Sequence, residues 1–251
     1  SEGDLLTSNQ SMTFTYTPLI FINNKIYLNQ KPNRFYEPEE LLRKSPVTVV
    51  LDTMKKEVYK GSFCFPEILP SEDYGIKTLG TEFLYSRIYD GNQIVYSFWS
   101  DEKLYLTSKE NTLIKTIPVN SKYLGKVKAP GDRPVDVLKC IKMWSEVPLY
   151  GNLIYDPYRE VYYRVAYPET EIESQENFGD IWQFGRKVFS IIILDKEFNV
   201  IGETLFPEYI YISTLMFVRK DGLYISNSHY KNPDFNEDIL SFKKFELVKE
   251  K

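Results

Sequence analysis

The chain has 251 residues, enough for one large domain or two small ones, and 43% of them are hydrophobic, which supports a sizeable core and argues against disorder. Aromatic residues reach 16%, with 20 Tyr and 16 Phe, a bias that leans toward strands. The net charge of −4 leaves no broad basic field for nucleic acid or anionic lipid, so neither is expected as a partner.

In chain order, "LIFINNKIYLNQ" (19–30) predicts a hairpin turning at Asn23 and Asn24. A long connection over 29–45 follows, with Arg34-Phe35-Tyr36 and a helical turn expected over 38–44. "VVLDTMKKEVYKGSFCFPE" (49–67) predicts a second hairpin, in which Cys64 reads as a small buried side chain. "YSRIYDGNQIVYSFW" (85–99) turns at Asp90, Gly91 and Asn92, and "KLYLTSKENTLIKTIPV" (103–119) is again strand, polar turn, strand, Pro. The run "VDVLKCIKMWSE" (135–146) has loose helical spacing at Val135, Leu138, Ile141 and Met143. "GNLIYDPYREVYYRVAY" (151–167) turns at Asp156 and Pro157, "IILDKEFNVIGETLFPE" (192–208) turns at Lys196 and Glu197, and "LMFVRKDGLYISNS" (215–228) turns at Asp221 and Gly222. Gly and Asn accept positive φ and Pro presets a turn, so these tips carry hairpin chemistry. A long run, "DILSFKKFELVK" (238–249), closes the series.

Residues 49–67 and 192–208 write one hairpin twice: Leu-Asp, polar turn, strand, Phe-Pro-Glu; residues 103–119 are a weaker third copy. Each copy follows another hairpin. The repeating unit is therefore a four-stranded meander, A-B-C-D, over about 12–67, 82–119, 150–206 and 212–249, the last showing no obvious fourth strand. Such repeats predict an all-β fold, a β-propeller of four-stranded antiparallel blades forming one domain over 1–251. A β-sandwich of short strands is the rival. Strands at 47–52, 104–107 and 189–194 are expected at equivalent places in successive sheets. A-B and C-D turns are short, whereas B-C and D-A connections are often long, as over 168–187, 226–237 and 118–148. The long connections leave a meander at one end, where loops carry binding sites.

The stretch "YGNLIYDPYREVYYRVAYPE", then "SIIILDKEFNVIGETLFP", then "DGLYISNS", resembles the TolB-like β-propeller lipoproteins of Bacteroidetes, a domain of unknown function. The resemblance is best from Tyr150 onward and patchy over 1–149. It implies a secreted, lipid-anchored, six-bladed propeller at the cell envelope. It implies no known activity and transfers no catalytic residues. Four units stand where six are expected, and no lipid-attachment Cys lies near the start. The chain is then the C-terminal part of a larger ring, a closed smaller ring, or a ring with degenerate blades.

Candidate chemistry is sparse. The two cysteines, Cys64 and Cys140, are too few for a disulfide framework or a Cys-rich zinc site; a bond between them stays open. "NPDFNED" (232–238) begins like a calcium loop but has Ile239 at the glycine position and Phe245 where the bidentate Glu belongs, so it reads as an acidic loop. No metal or cofactor motif is present: no phosphate-binding glycine loop, HExxH or CxxC occurs. His229, the one histidine, reads as a solvated or hydrogen-bonded loop residue, with a ligand contact as the sharper alternative. Glu37, Glu39, Glu40, Asp73, Asp180 and Asp234 lie in candidate loops, as some of 35 acidic residues must. The aromatic and basic clusters of the long connections are the better candidates, because Tyr, Trp and Arg dominate binding hot spots; the alternative is that their rings staple the long loops onto the sheet. They give the candidate ligand-binding residues Arg34, Tyr36, Trp182, Arg186, His229 and Tyr230. Tyr155 to Glu160 falls at a short turn and reads as fold-specifying, with Arg159 pairing a carboxylate.

The functional expectation is a non-catalytic binding or scaffold propeller at the bacterial cell envelope that recognises a peptide, glycan or protein on its long-loop face. The rival is a hydrolase or lyase whose acidic residues converge at a central channel. No stretch approaches the roughly 20 apolar residues of a membrane span; the lipid anchor that the resemblance implies is expected outside this chain. The start, "SEGDLLT", lacks a signal-peptide pattern, but without an initial Met this says nothing about export. Burial of Phe21, Ile26, Phe217 and Ile225 is expected to report on whether the first and last units meet.

Overall fold

A computed structural model describes residues 9–11, 16–32, 44–66, 84–125, 127, 137–172 and 177–248. Strands dominate them, in four antiparallel sheets. The first joins β1 (Asn9–Ser11) and β2 (Ile20–Ile22) to β3 (Lys25–Pro32), then β4 (Thr48–Asp52) and β5 (Glu57–Lys60). The second runs β6 (Tyr85–Tyr89), β7 (Ile94–Phe98), β8 (Lys103–Thr107) and β9 (Leu113–Pro118). The third runs β10 (Leu149–Asp156), β11 (Val161–Tyr167), β12 (Ser190–Leu194) and β13 (Val200–Leu205). The fourth has β14 (Ile212–Arg219), β15 (Gly222–Ser226) and β16 (Phe242–Phe245). Two helices, α1 (Val137–Glu146) and α2 (Phe178–Phe184), lie in connections. Among the described residues no helix is long and apolar enough to cross a membrane.

The expected equivalence of β4, β8 and β12 holds, since each is the third strand of its sheet. Three differences stand out. β1 extends the first sheet beyond four strands: its polar Asn9-Gln10-Ser11 is strand only because it pairs with Gln30 to Pro32. β16 covers four residues rather than the whole 238–249 run, and Ile239, Leu240 and Val248 are exposed beside it. The last hairpin turns at Lys220 and Asp221, one residue before the expected pair. Gly222 then opens β15, where a Cβ would sit 2.6 Å from the Phe245 carbonyl oxygen. The helical turn expected over 38–44 falls outside the described residues apart from Lys44.

The repeated Leu-Asp has a physical cause. At the end of β4, Asp52 Oδ1 accepts from the backbone N–H groups of Met54 and Lys55 at 3.1 and 3.0 Å. After β12, Asp195 Oδ1 accepts from Glu197 and Asn199 at 2.9 and 2.8 Å. The weaker copy has Ser108 instead, whose Oγ accepts from Glu110 and Thr112 at 3.1 and 3.4 Å. A short side-chain acceptor holding its own turn is what fixes each third-to-fourth strand hairpin. The last two copies share a further detail: Asn111 (φ 62°) and Phe198 (φ 67°) take the left-handed conformation at the same point of the turn. There the ladders skip a residue, between Leu106 and Thr107 and between Ile193 and Leu194.

The chain divides into two compact units, one of residues 1–120 with 127–134, the other of 121–126 with 135–251. In the first, Tyr27, Val50, Phe63, Tyr96, Phe98 and Tyr105 are among the buried core. Fully buried Arg87 donates to Thr48 Oγ1 at 2.8 Å and to the Tyr27 carbonyl at 2.7 Å, tying the second sheet to the first. In the second unit, Val165, Ile191 and Ile225 pack beside Phe189, which stacks on Phe206 at 4.7 Å. The four residues expected to behave alike do not: Phe21 and Phe217 are 64% and 40% exposed, Ile26 is half-buried and Ile225 fully buried. Cys64 is a free thiol, half-buried rather than buried, bridged to Pro46 between the buried rings of Phe63 and Phe65.

Candidate functional site

The connection from β11 to β12 builds most of the site. Asn177 caps α2 by accepting from the Gly179 N–H at 2.9 Å. Gly185 ends the helix at φ 92°, its N–H bonded to the Ile181 carbonyl at 2.9 Å. Only glycine fits there, because a Cβ would lie 2.8 Å from Ser213 Oγ. The turn sends Arg186 inward. It is buried, donating through Nη1 to the Val147 carbonyl at 2.6 Å and through Nη2 to the Pro168 carbonyl at 3.3 Å. Its guanidinium lies 5.3 Å from the Tyr167 ring centre. Arg186 Nε makes no hydrogen bond among the described residues. Burial pushes the pKa of Arg186 down to about 10.

The next residues add charge and rings. Lys187 Nζ lies 3.3 Å from Glu208 Oε2, and its carbonyl accepts from the Tyr209 N–H at 2.9 Å. Tyr209 sits at φ 57°, uncommon for an aromatic residue, on the connection from β13 to β14. From the connection between β15 and β16 comes His229, buried, with Nδ1 accepting from the Lys231 N–H at 3.2 Å. Its ring stacks on Tyr230 at 5.0 Å, and Phe184 packs on both. Lys231 Nζ stands 4.2 Å from the Tyr209 ring centre.

Arg186, Lys187, Tyr209, His229 and Tyr230 line one crevice with Ser145, Thr170, Ile172, Ile181 and Gly185. Its enclosed part is about 10 Å³, the room of one water. Thr170 and Ile172 also line a groove of about 530 Å³ against α1, with Glu146, Glu169 and Glu171. In an antiparallel meander successive turns leave at alternate ends. Ser145 lies on α1 in the connection from β9 to β10; the other crevice residues come from the connections β11–β12, β13–β14 and β15–β16, and all four leave their strands at the end opposite the short hairpin turns.

Three of the six candidate residues, Arg186, His229 and Tyr230, therefore line one crevice. Arg186 is a buried strut, because two backbone carbonyls hold its terminal N–H groups. His229 is a hydrogen-bonded loop residue, one of the two forms expected, and it is buried rather than solvated, with Phe184, Tyr209 and Tyr230 around its ring. Trp182 lies on α2, with its side chain outside the described part of the structure. Arg34 and Tyr36 lie outside the described residues, as do Glu37, Glu39, Glu40 and Asp73. Asp180 is in the first turn of α2, and Asp234 is an exposed loop residue whose N–H bonds Asn232 Oδ1 at 3.1 Å. Local turns of this kind, repeated at Asn236, shape the 232–238 loop. Among the described residues no three His, Cys, Asp or Glu side chains are gathered as metal ligands would be. Lys187, Tyr209 and the groove glutamates were not singled out from the sequence; Tyr209, directly after the repeated Phe-Pro-Glu, was the available signal.

The model of a family described as a domain of unknown function, DUF4221, matches residues 1–205 of this chain. That range includes Arg186 and stops before His229. A crystal structure of a DUF4221 family member from Bacteroides vulgatus is similar with a TM-score of 0.81 and 26% identity. The match covers 93% of this chain and 64% of that one, so this chain spans less than two thirds of its relative's length. No curated protein matches.

Proposed function

Taking as premise that the chain belongs to the DUF4221 family, we propose that it is a non-catalytic binding or scaffold module of the bacterial cell envelope. It recognises a peptide, glycan or protein with its long connections, on sheets arranged as propeller blades. The repeated meanders and their shared turn support the propeller, and the resemblance to TolB-like lipoproteins supports the envelope. The observation that carries the binding reading is the crevice, whose rings and cations converge from separate long connections. No carboxylate is among the described residues lining it, so the converging acidic residues of the hydrolase reading are not gathered there among those residues.

The test is an array of peptides and oligosaccharides probed with the wild-type chain and with Tyr230→Ala. The expected result is capture of one ligand class by the wild type, weakened at least about tenfold in the variant. Capture unchanged by Tyr230→Ala, or no capture at all, defeats the reading.

A further inference from the structure

The geometry points to a zwitterionic peptide as the ligand class: the crevice and the adjoining groove form one bipolar site, taking a carboxylate at the Arg186–Lys187 end and an ammonium at the Glu169–Glu171 end. This rests on the binding reading above and adds the ligand's charge pattern. The two cavities adjoin, since Thr170 and Ile172 line both.

At the basic end, Arg186 is more than nine-tenths buried, yet no carboxylate of the described residues lies within ion-pair distance. Its Nη atoms are spent on backbone carbonyls, and Nε is without a partner. Glu146 favours the charge only from beyond ion-pair distance; a buried cation with no carboxylate in contact is costly, and an arriving anion lowers that cost. Lys187, beside it, is a second cation at the lining, and its only ion pair among the described residues is with the half-exposed Glu208. The enclosed volume of about 10 Å³ admits a terminal oxygen in place of one water, not a whole ligand.

At the other end, the groove of about 530 Å³ has the size of a small-ligand pocket and is open to solvent. Glu146 there is already engaged, accepting from the Ile172 N–H at 3.0 Å and lying 3.7 Å from Lys142 Nζ. Glu169 and Glu171 are exposed and make no hydrogen bond or ion pair among the described residues. Met143 and Val147 give the groove an apolar wall. A neutral sugar uses neither charge, and an acidic sugar uses only the basic end. A short peptide carries both charges, separated by backbone that can bear apolar side chains.

The experiment is titration calorimetry with lysyl-alanyl-alanine, its C-terminal amide and its doubly N-acetylated form. The expected result is binding of the free peptide, weakened at least about tenfold by either block. The double variant Glu169→Gln, Glu171→Gln should abolish the effect of acetylation and keep that of amidation. Lys187→Gln should shrink the effect of amidation and keep that of acetylation, and it avoids the folding risk of changing Arg186. Equal affinity for the blocked forms, or no binding of any of the three, overturns the bipolar site. If an acidic oligosaccharide binds instead and Tyr230→Ala weakens it, the binding reading stands while the ligand class falls. If the wild type binds neither class, both fall.

Discussion

Asp156 shows how much one side chain can specify. It is fully buried at the end of β10; Oδ1 accepts from the N–H groups of Tyr158 and Arg159 at 3.0 and 3.2 Å. Oδ2 takes Arg159 Nε at 2.5 Å and the Tyr163 hydroxyl at 3.2 Å. Arg159 goes on to donate to the Arg219 and Lys220 carbonyls at 2.8 and 3.1 Å, pinning the turn of the third sheet to that of the fourth. Removing one member leaves a buried charge or several N–H groups unpaired, so Asp156→Ala should cost about 3 kcal/mol in urea unfolding. A loss below about 0.5 kcal/mol would mean that the backbone holds this turn alone. The opposite sign is expected at Lys56 (φ 58°) and Glu160 (φ 52°), both exposed and left-handed. Relief of about 1–2 kcal/mol there exceeds the entropy that glycine adds to the unfolded chain. Lys56→Gly and Glu160→Gly should each stabilise by about 0.5 kcal/mol, read as a rise in the urea midpoint; a fall would refute the strain.

At the scale of elements, buried tyrosines join strands to their neighbours. Tyr85 on β6 donates to the Val47 carbonyl at 2.7 Å, and Tyr167 on β11 shares a 2.9 Å hydrogen bond with Ser213 on β14. Burial raises the pKa of both above the ordinary 10.0. A raised folded-state pKa gives stability that is complete below the unfolded value and lost as pH climbs past it. Arg186 acts oppositely: its pKa is lowered to about 10, so its penalty is relieved above that pH. Burial raises Tyr27 and Tyr163 as well, so the tyrosines outweigh the one arginine: stability should fall as pH climbs above about 10, and Tyr85→Phe should flatten the slope. A slope unchanged in Tyr85→Phe would remove Tyr85 from the account. The hairpins were legible in the sequence because alternation and turn acceptors are local signals. β1 was not, because Asn9-Gln10-Ser11 has no apolar alternation and owes its state to a partner strand. α2 was written in its caps, Asn177 and Gly185, but lay inside a stretch read as loop. The crevice was half legible. Its residue types were recognisable, but their meeting depends on packing between positions as distant as Ser145 and Tyr230.

At the scale of the molecule, alternation of short and long connections concentrates irregular chain at one end of each sheet. Regular hydrogen-bonded turns hold the other end, through Asp52, Asp156 and Asp195. That division lets the end with the long connections vary without disturbing the sheets, because its residues contribute few ladder bonds. The central claim is that ligand enters the crevice against His229. His229 is the one histidine of the chain, so its imidazole gives a single set of ring signals in NMR. Titrating the wild-type chain with lysyl-alanyl-alanine, or with the best binder from the arrays, should move those signals along a curve matching the calorimetric affinity. Saturable binding that leaves the His229 ring signals unmoved would place the ligand elsewhere and contradict the account.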